Sequence, residues 1–222
     1  MKPYQLLGLS FLMYMHQNGV SSILGDEMGL GKTLQTLSLL QHLKNERGAS
    51  PGGKRPCLVV CPLSVLNSWI SEARKWTPGL NVLRFHGPQN ERDLMKKKAS
   101  GEVPTAYKRK STAQKKGQEQ TAANMQIVDL TSEDELATPE DSGVDLVVTT
   151  YEGFLAEEGW FKRAFVWRYV ILDEGHRIKN EGSLVSRALQ GLGTEYRLLL
   201  SGTPLQNNLS EVSSIMTATN EL

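Results

Sequence analysis

Ser22-Ile23-Leu24-Gly25-Asp26-Glu27-Met28-Gly29-Leu30-Gly31-Lys32-Thr33 joins a short apolar run to a glycine-rich turn. A helical pattern follows at once, with Leu34, Leu37, Leu40 and Leu43 spaced to line one face. A glycine turn between strand and helix lets backbone N–H groups point inward, with the positive end of the helix behind them. Such a cradle suits the oxygens of a polyphosphate. Lys32 is placed to reach β- and γ-phosphates, and the Thr33 hydroxyl to ligate Mg²⁺. The strict form of this motif has glycine five residues before Gly31, where Asp26 stands here.

Working outward, strands and helices alternate. Gly48 to Pro56 is a Gly/Pro/Ser loop. Cys57 to Cys61 reads as a buried strand and Val65 to Trp76 as a helix with Leu66, Trp69, Ile70 and Ala73 inward. Asn81 to Phe85 is another strand. Val144–Thr149 and Tyr169–Leu172 are continuous apolar runs, the pattern of central strands covered on both faces. Ser183–Leu189 looks helical, and Arg197–Leu200 is a last short strand. This alternation implies an α/β fold: a parallel, doubly wound sheet with right-handed crossovers.

The segment from Pro88 to Ser142 differs in composition. Its first half holds Lys96-Lys97-Lys98, Lys108-Arg109-Lys110 and Lys115-Lys116; its second holds Asp129, Glu133, Asp134, Glu135, Glu140 and Asp141. Apolar residues are too sparse to offset the entropy of ordering it. The expectation is a largely disordered insertion over 88–142, within a single domain spanning 1–222.

With 222 residues, 39% hydrophobic and 22% charged, the chain has the composition of an ordinary globular protein and room for one substantial core. A net charge of +1 gives no bulk electrostatic argument for a nucleic-acid partner, so that case rests on motifs. Cys57 and Cys61 lie on one face of an apolar strand, where free buried thiols are expected, and two cysteines do not make a disulfide scaffold or a zinc site. No apolar run approaches the roughly 18 residues of a membrane-spanning helix, and the N-terminus lacks a signal peptide's apolar stretch. The expectation is an intracellular protein.

A second chemical signal is Tyr169-Val170-Ile171-Leu172-Asp173-Glu174-Gly175-His176. Four apolar strand residues deliver two carboxylates to the strand's carboxyl end, where ligands of α/β sheets bind. Asp173 is suited to hold Mg²⁺ and Glu174 to position or deprotonate an attacking water. Three further strand ends carry small polar residues: Cys61-Pro62-Leu63-Ser64, Thr149-Thr150-Tyr151-Glu152 and Ser201-Gly202-Thr203-Pro204. Singly each is turn chemistry; beside the two nucleotide motifs they suit phosphate-backbone contacts that carry no sequence information.

Taken with Pro3-Tyr4-Gln5, Asp173 through Asn180 and Ser201 through Asn207, these strings occur in one family's order. The chain closely resembles the first RecA-like lobe of Swi/Snf-like, superfamily-two chromatin-remodelling ATPases, and Asp26 matches that family's variant of the P-loop. The resemblance implies that Gln5 recognises adenine and that Asp26, Glu27, Met28, Gly29, Leu30, Gly31, Lys32 and Thr33 hold the phosphates of ATP. It implies Mg²⁺ at Thr33 and Asp173, and catalysis by Lys32, Asp173 and Glu174. Coupling to DNA falls to Pro62, Ser64, Thr149, Thr150, His176, Ser201 and Thr203. Gly175 stands where the family more often has alanine. The implied activity is ATP-driven movement on duplex DNA and nucleosomes, without strand separation, in the nucleus.

The family's motor has two lobes, and the second supplies arginines worth 10³–10⁵ in rate. The sequence here ends soon after the first, so the chain alone is expected to bind nucleotide weakly and hydrolyse it poorly. An alternative expectation is a non-hydrolysing interaction protein. Ile127-Val128-Asp129-Leu130, followed by an acidic run, resembles a SUMO-interacting motif that would add a strand to a partner's sheet edge.

Overall fold

The computed structural model describes residues 1–46, 55–101, 143–174 and 184–202. Within them, β1 (Ser22–Leu24), β2 (Cys57–Cys61), β3 (Val82–Phe85), β4 (Leu146–Thr150), β5 (Trp167–Asp173) and β6 (Thr194–Leu200) form one six-stranded sheet. Its order is β1-β6-β5-β2-β4-β3, and every pairing is parallel. The helices are α1 (Pro3–Gln17), α2 (Lys32–Glu46), α3 (Leu63–Trp76), α4 (Gln89–Ala99), α5 (Tyr151–Ala156), α6 (Glu158–Ala164) and α7 (Leu184–Gln190).

Alternation along the strands divides the core in two. Cys57, Val59 and Cys61 face α2 and α3, meeting Leu37, Leu40, Leu66, Trp69 and Ala73; Leu12 of α1 joins the same layer. Leu58 and Val60 face the other way, toward Ala99, Phe154, Phe161 and Leu189 of α4 to α7. Steps from β1 to β3 run one way across the sheet over the first face. Steps from β3 back to β6 run the opposite way over the second, so all crossovers share one hand, as the sterics of twisted strands require.

β2 has the bounds read from the sequence, and α3 buries Leu66, Trp69, Ile70 and Ala73 as expected. Cys57 and Cys61 are both buried, as expected. Among the described residues no helix is long and apolar enough to cross a membrane.

The insertion boundary needs correction. Its first residues belong to the folded domain as α4, held by Ala99 against the core and by ion pairs to the buried Glu157. Arg92 Nε donates to Glu157 Oε1 at 2.9 Å, and Lys96 Nζ to Oε2 at 2.7 Å. Lys96, from a basic run expected to be disordered, and Arg92 one turn before it thus share one carboxylate, 65 residues downstream of Arg92. The remainder of the predicted insertion lies outside the described residues.

Candidate functional site

In an all-parallel sheet every strand delivers its carboxyl end to the same edge, and the sequence's motifs collect there. Gly25 follows β1, Pro62 follows β2, Thr149 and Thr150 close β4, Asp173 closes β5, and Ser201 follows β6. Leu200 lies in register with Asp173 and with Leu24, so the segments beginning at Gly25, Glu174 and Ser201 leave the sheet side by side.

The turn after β1 is built by two left-handed glycines, Gly29 (φ 82°) and Gly31 (φ 84°). A side chain at Gly31 would be strained by that backbone and would collide with the Gln5 amide. Lys32, at the first position of α2, folds back over the turn: its ammonium donates to the carbonyls of Asp26 (2.7 Å) and Glu27 (2.9 Å). Gln5 is buried on the other side. Its Oε1 accepts from the Lys2 N–H at 2.8 Å, closing the first turn of α1, and its Nε2 donates to the Leu30 carbonyl at 3.1 Å. Tyr4, Leu7, Gly8 and Phe11 of α1 face Leu24, Asp26 and Leu30 across a cleft of about 390 Å³.

Gln35, one turn into α2, is fully buried, and its Nε2 donates to Asp26 Oδ2 at 3.3 Å. Its Oε1 has no hydrogen-bond partner and presses on Gly8, where any Cβ would collide with it. The residue that departs from the strict P-loop pattern is thus braced from α2, and α2 is braced against α1.

Asp173 sits half-buried at the end of β5. Its Oδ2 accepts the indole N–H of Trp69 at 2.7 Å, its Oδ1 accepts the Glu174 N–H at 3.0 Å, and its main-chain carbonyl accepts the Tyr151 hydroxyl at 2.7 Å. Burial pushes its carboxyl above the usual range; the Trp69 bond opposes this, the Glu174 charge adds to it, and the Glu174 N–H and the Lys32 ammonium oppose it. The Lys32 charge is the least of these influences; the P-loop and the β5 carboxylate are brought to one edge by the register of β1, β6 and β5. Glu174 turns the chain with φ 55°, the left-handed region that non-glycine residues seldom occupy.

These donors fit Mg²⁺. The Thr33 hydroxyl and the Asp173 and Glu174 carboxylates are hard oxygen ligands, and one or two carboxylates completed by phosphate and water is the arrangement that small cation favours. Among the described residues no group of three or more His, Cys, Asp and Glu assembles to hold a metal, so the cation would depend on the phosphates for its remaining ligands.

A second cleft, of about 490 Å³, opens between the ends of β2, β3 and β4. Pro62, Ser64 and Thr150, expected from the sequence to couple to DNA, line it together with His86, Gly87 and Arg92, which the sequence did not single out. Thr150 also caps α5, its Oγ1 accepting the Gly153 N–H at 3.0 Å. Thr149 is a correction to the expected DNA contacts. It is fully buried, and its hydroxyl lies beneath Gly153, so it belongs to the wall of the edge and not its surface.

Ser201 is buried at the end of β6, its N–H bonded to the Leu24 carbonyl at 3.2 Å, and Gly202 packs on Met28 of the P-loop. His176, Thr203 and the proposed SUMO-interacting residues Ile127, Val128, Asp129 and Leu130 lie outside the described residues. Trp69, Tyr151 and Gln35 were not read as site residues. The available signal was weak: a core tryptophan or tyrosine carries a polar atom that must find a partner.

A family model described as the SNF2-related domain matches residues 4–221. A probable chromatin-remodeling complex ATPase chain of Oryza sativa is 38% identical over 97% of this chain. The ATP-dependent DNA helicase DDM1 of Arabidopsis thaliana is 36% identical over the same share. The chain spans only 16% and 23% of those two relatives. Among solved structures, the Sulfolobus solfataricus SWI2/SNF2 ATPase core in complex with dsDNA aligns over 99% of this chain and 35% of its own. That alignment has a TM-score of 0.66 and 30% identity. The SUMO reading gains no support from any of these similarities.

Proposed function

Because the chain belongs to the SNF2-related domain family, we propose that it is the nucleotide-binding lobe of an ATP-dependent motor acting on duplex DNA in chromatin. The observation that carries this reading is that the P-loop and the Asp173–Glu174 pair leave the sheet at one edge, with Leu24 and Asp173 both in register with Leu200. Enzyme relatives of this family support an ATPase, and the dsDNA held by the Sulfolobus core supports a duplex partner. The chromatin-remodelling relatives support the further reading of a nuclear location and nucleosomal DNA.

In the proposed cycle, phosphate oxygens replace the Asp26 and Glu27 carbonyls as acceptors for Lys32, while the N–H groups of Gly29 to Thr33 close around them. The adenine ring enters the cleft between α1 and the P-loop, and the Gln5 amide exchanges its Leu30 contact for the base edge. Thr33 and Asp173 hold Mg²⁺, which supplies charge neutralisation at the transferring phosphate. Glu174 orients the attacking water and accepts its proton. Release of that phosphate is felt at Ser201, which follows Leu200, the register partner of Asp173, and at Gly202, which packs on Met28. The DNA backbone runs over Pro62, Ser64 and Thr150 at the neighbouring cleft.

The test is ATP hydrolysis by the purified chain with and without duplex DNA, beside Lys32→Ala. DNA-stimulated hydrolysis absent from the variant is the expected family behaviour of a lobe that completes its site. Hydrolysis equal in chain and variant would remove the catalytic reading and leave nucleotide or DNA binding to be measured directly.

A further inference from the structure

We infer that Trp69 is a positioning residue for the metal-holding carboxylate: its indole N–H fixes Asp173 in the rotamer that faces the P-loop. The inference rests on the ATP and Mg²⁺ reading above. It concerns a residue that touches neither nucleotide nor metal.

The observations are geometric. Trp69 is 1% exposed, in the middle of the buried face of α3, yet its one polar atom is aimed out of the core at the sheet edge. It reaches Asp173 Oδ2 at 2.7 Å across 104 residues of sequence. The opposite oxygen is held by the Glu174 N–H, itself set by the left-handed turn at Glu174. From the other layer of helices, Tyr151, at the start of α5, holds the main-chain carbonyl of the same residue. Asp173 is therefore gripped at three atoms by groups from both sides of the sheet and from the chain just beyond it.

Each carboxylate oxygen has two acceptor sites, and each N–H donor occupies one of them. One lone-pair direction on each oxygen is left for a metal or its water. The indole is rigid and packed, so it defines which directions those are. A carboxylate at a strand end with only solvent neighbours would sample two or three rotamers, whereas these donors hold Asp173 in one. Outer partners of this kind tune metal affinity by 10–100-fold in well-studied sites.

The experiment separates metal binding from nucleotide binding. Mn²⁺ is titrated against the chain with ADP and followed by electron paramagnetic resonance, while ADP affinity is measured separately in EDTA by fluorescent-nucleotide displacement. Thermal melting reports folding. The variants are Trp69→Phe and the chain with 3-benzothienylalanine at position 69, which keeps the bicyclic shape and removes only the N–H donor. Mn²⁺ affinity reduced about tenfold in both, with metal-free ADP affinity and melting retained by the benzothienyl chain, is the result expected. Unchanged Mn²⁺ affinity in the benzothienyl chain overturns the inference, as does loss of metal-free ADP binding in parallel with Mn²⁺. Absence of ADP binding by the unsubstituted chain, with and without metal, would instead strike at the nucleotide reading itself.

Discussion

The Gln5 side chain joins the first turn of α1 to the P-loop, its Nε2 donating to the Leu30 carbonyl at 3.1 Å while its Oε1 holds the Lys2 N–H. The two ends of one amide thus fix two elements that are 25 residues apart.

Two substitutions separate those ends. Gln5→Ala removes both bonds and is expected to cost about 1–2 kcal/mol by thermal or urea melting. Gln5→Glu keeps an acceptor for Lys2 but sets a carboxylate oxygen against the Leu30 carbonyl. It should be the more damaging of the two at neutral pH and recover partly on acidification. A Glu variant as stable as the parent at pH 7 would show that the Leu30 contact contributes nothing.

Gly8 and Gln35 should behave as a coupled pair. Alanine in a helix interior normally gains about 1 kcal/mol over glycine. Here Gly8→Ala drives its methyl into the buried Gln35 amide and displaces it from Asp26. Net destabilisation is expected for Gly8→Ala alone, and clearly less for the same change made in a Gln35→Ala background. Equal effects in the two backgrounds, measured as a double-mutant cycle, would mean that the two side chains do not communicate.

Arg197 is fully buried on β6, and burial holds its guanidinium down at about 10. It donates to the Leu189 carbonyl at 2.8 Å and the Leu192 carbonyl at 3.1 Å, with Gln190 at 3.5 Å, and so satisfies the last carbonyls of α7. Arg197→Met fills much of the same volume but leaves these acceptors without that donor. A loss of about 2–4 kcal/mol is expected, with faster amide exchange concentrated in α7. A neutral effect would mean that the carbonyls re-pair with water.

The Arg92–Glu157–Lys96 group sets a pH window. Burial pushes the Glu157 carboxyl up, but hydrogen bonds from Lys96 and Arg92 outweigh it and hold the group below its ordinary 4.5. Its contribution is therefore present above about that value and fades as pH falls through the lower, folded one. Burial pulls Lys96 down, but its bonds to Glu157 and Asp93 win and raise it above 10.5. That contribution is complete below 10.5 and fades at higher pH. The melting temperature of Glu157→Gln should lie below that of the parent across the neutral range, and the gap should narrow below pH 4.5. A gap independent of pH would point to lost packing and not to charge.

Central features of this fold were legible because they are local. Cys57–Cys61 is apolar throughout and could only be a covered strand, and the glycines before Lys32 could only be a turn. The unread elements depend on distant partners. Helix α1 presents Tyr4, Leu7, Phe11 and Tyr14 to solvent opposite its packed Leu12, so it has no single apolar stripe to give it away. Helix α4 is drawn onto the core by Glu157. In the site, the motif residues announced themselves by spacing, whereas Trp69 and Gln35 have the phase of core residues and show their polar work only once Asp173 and Asp26 stand opposite them.

The strand that carries the P-loop is three residues long, lies at the end of the sheet, and within the described residues pairs only with β6. Among the described strands it comes first along the chain, and the one it pairs with comes last. A nascent chain leaving the ribosome can close β2 to β5 early, and Gln5 and Gln35 can brace the nucleotide turn, but the strand that carries it has no sheet partner among the described residues until 194–200 have emerged. A phosphate cradle anchored in the sheet is thus expected only of chains translated at least through Leu200.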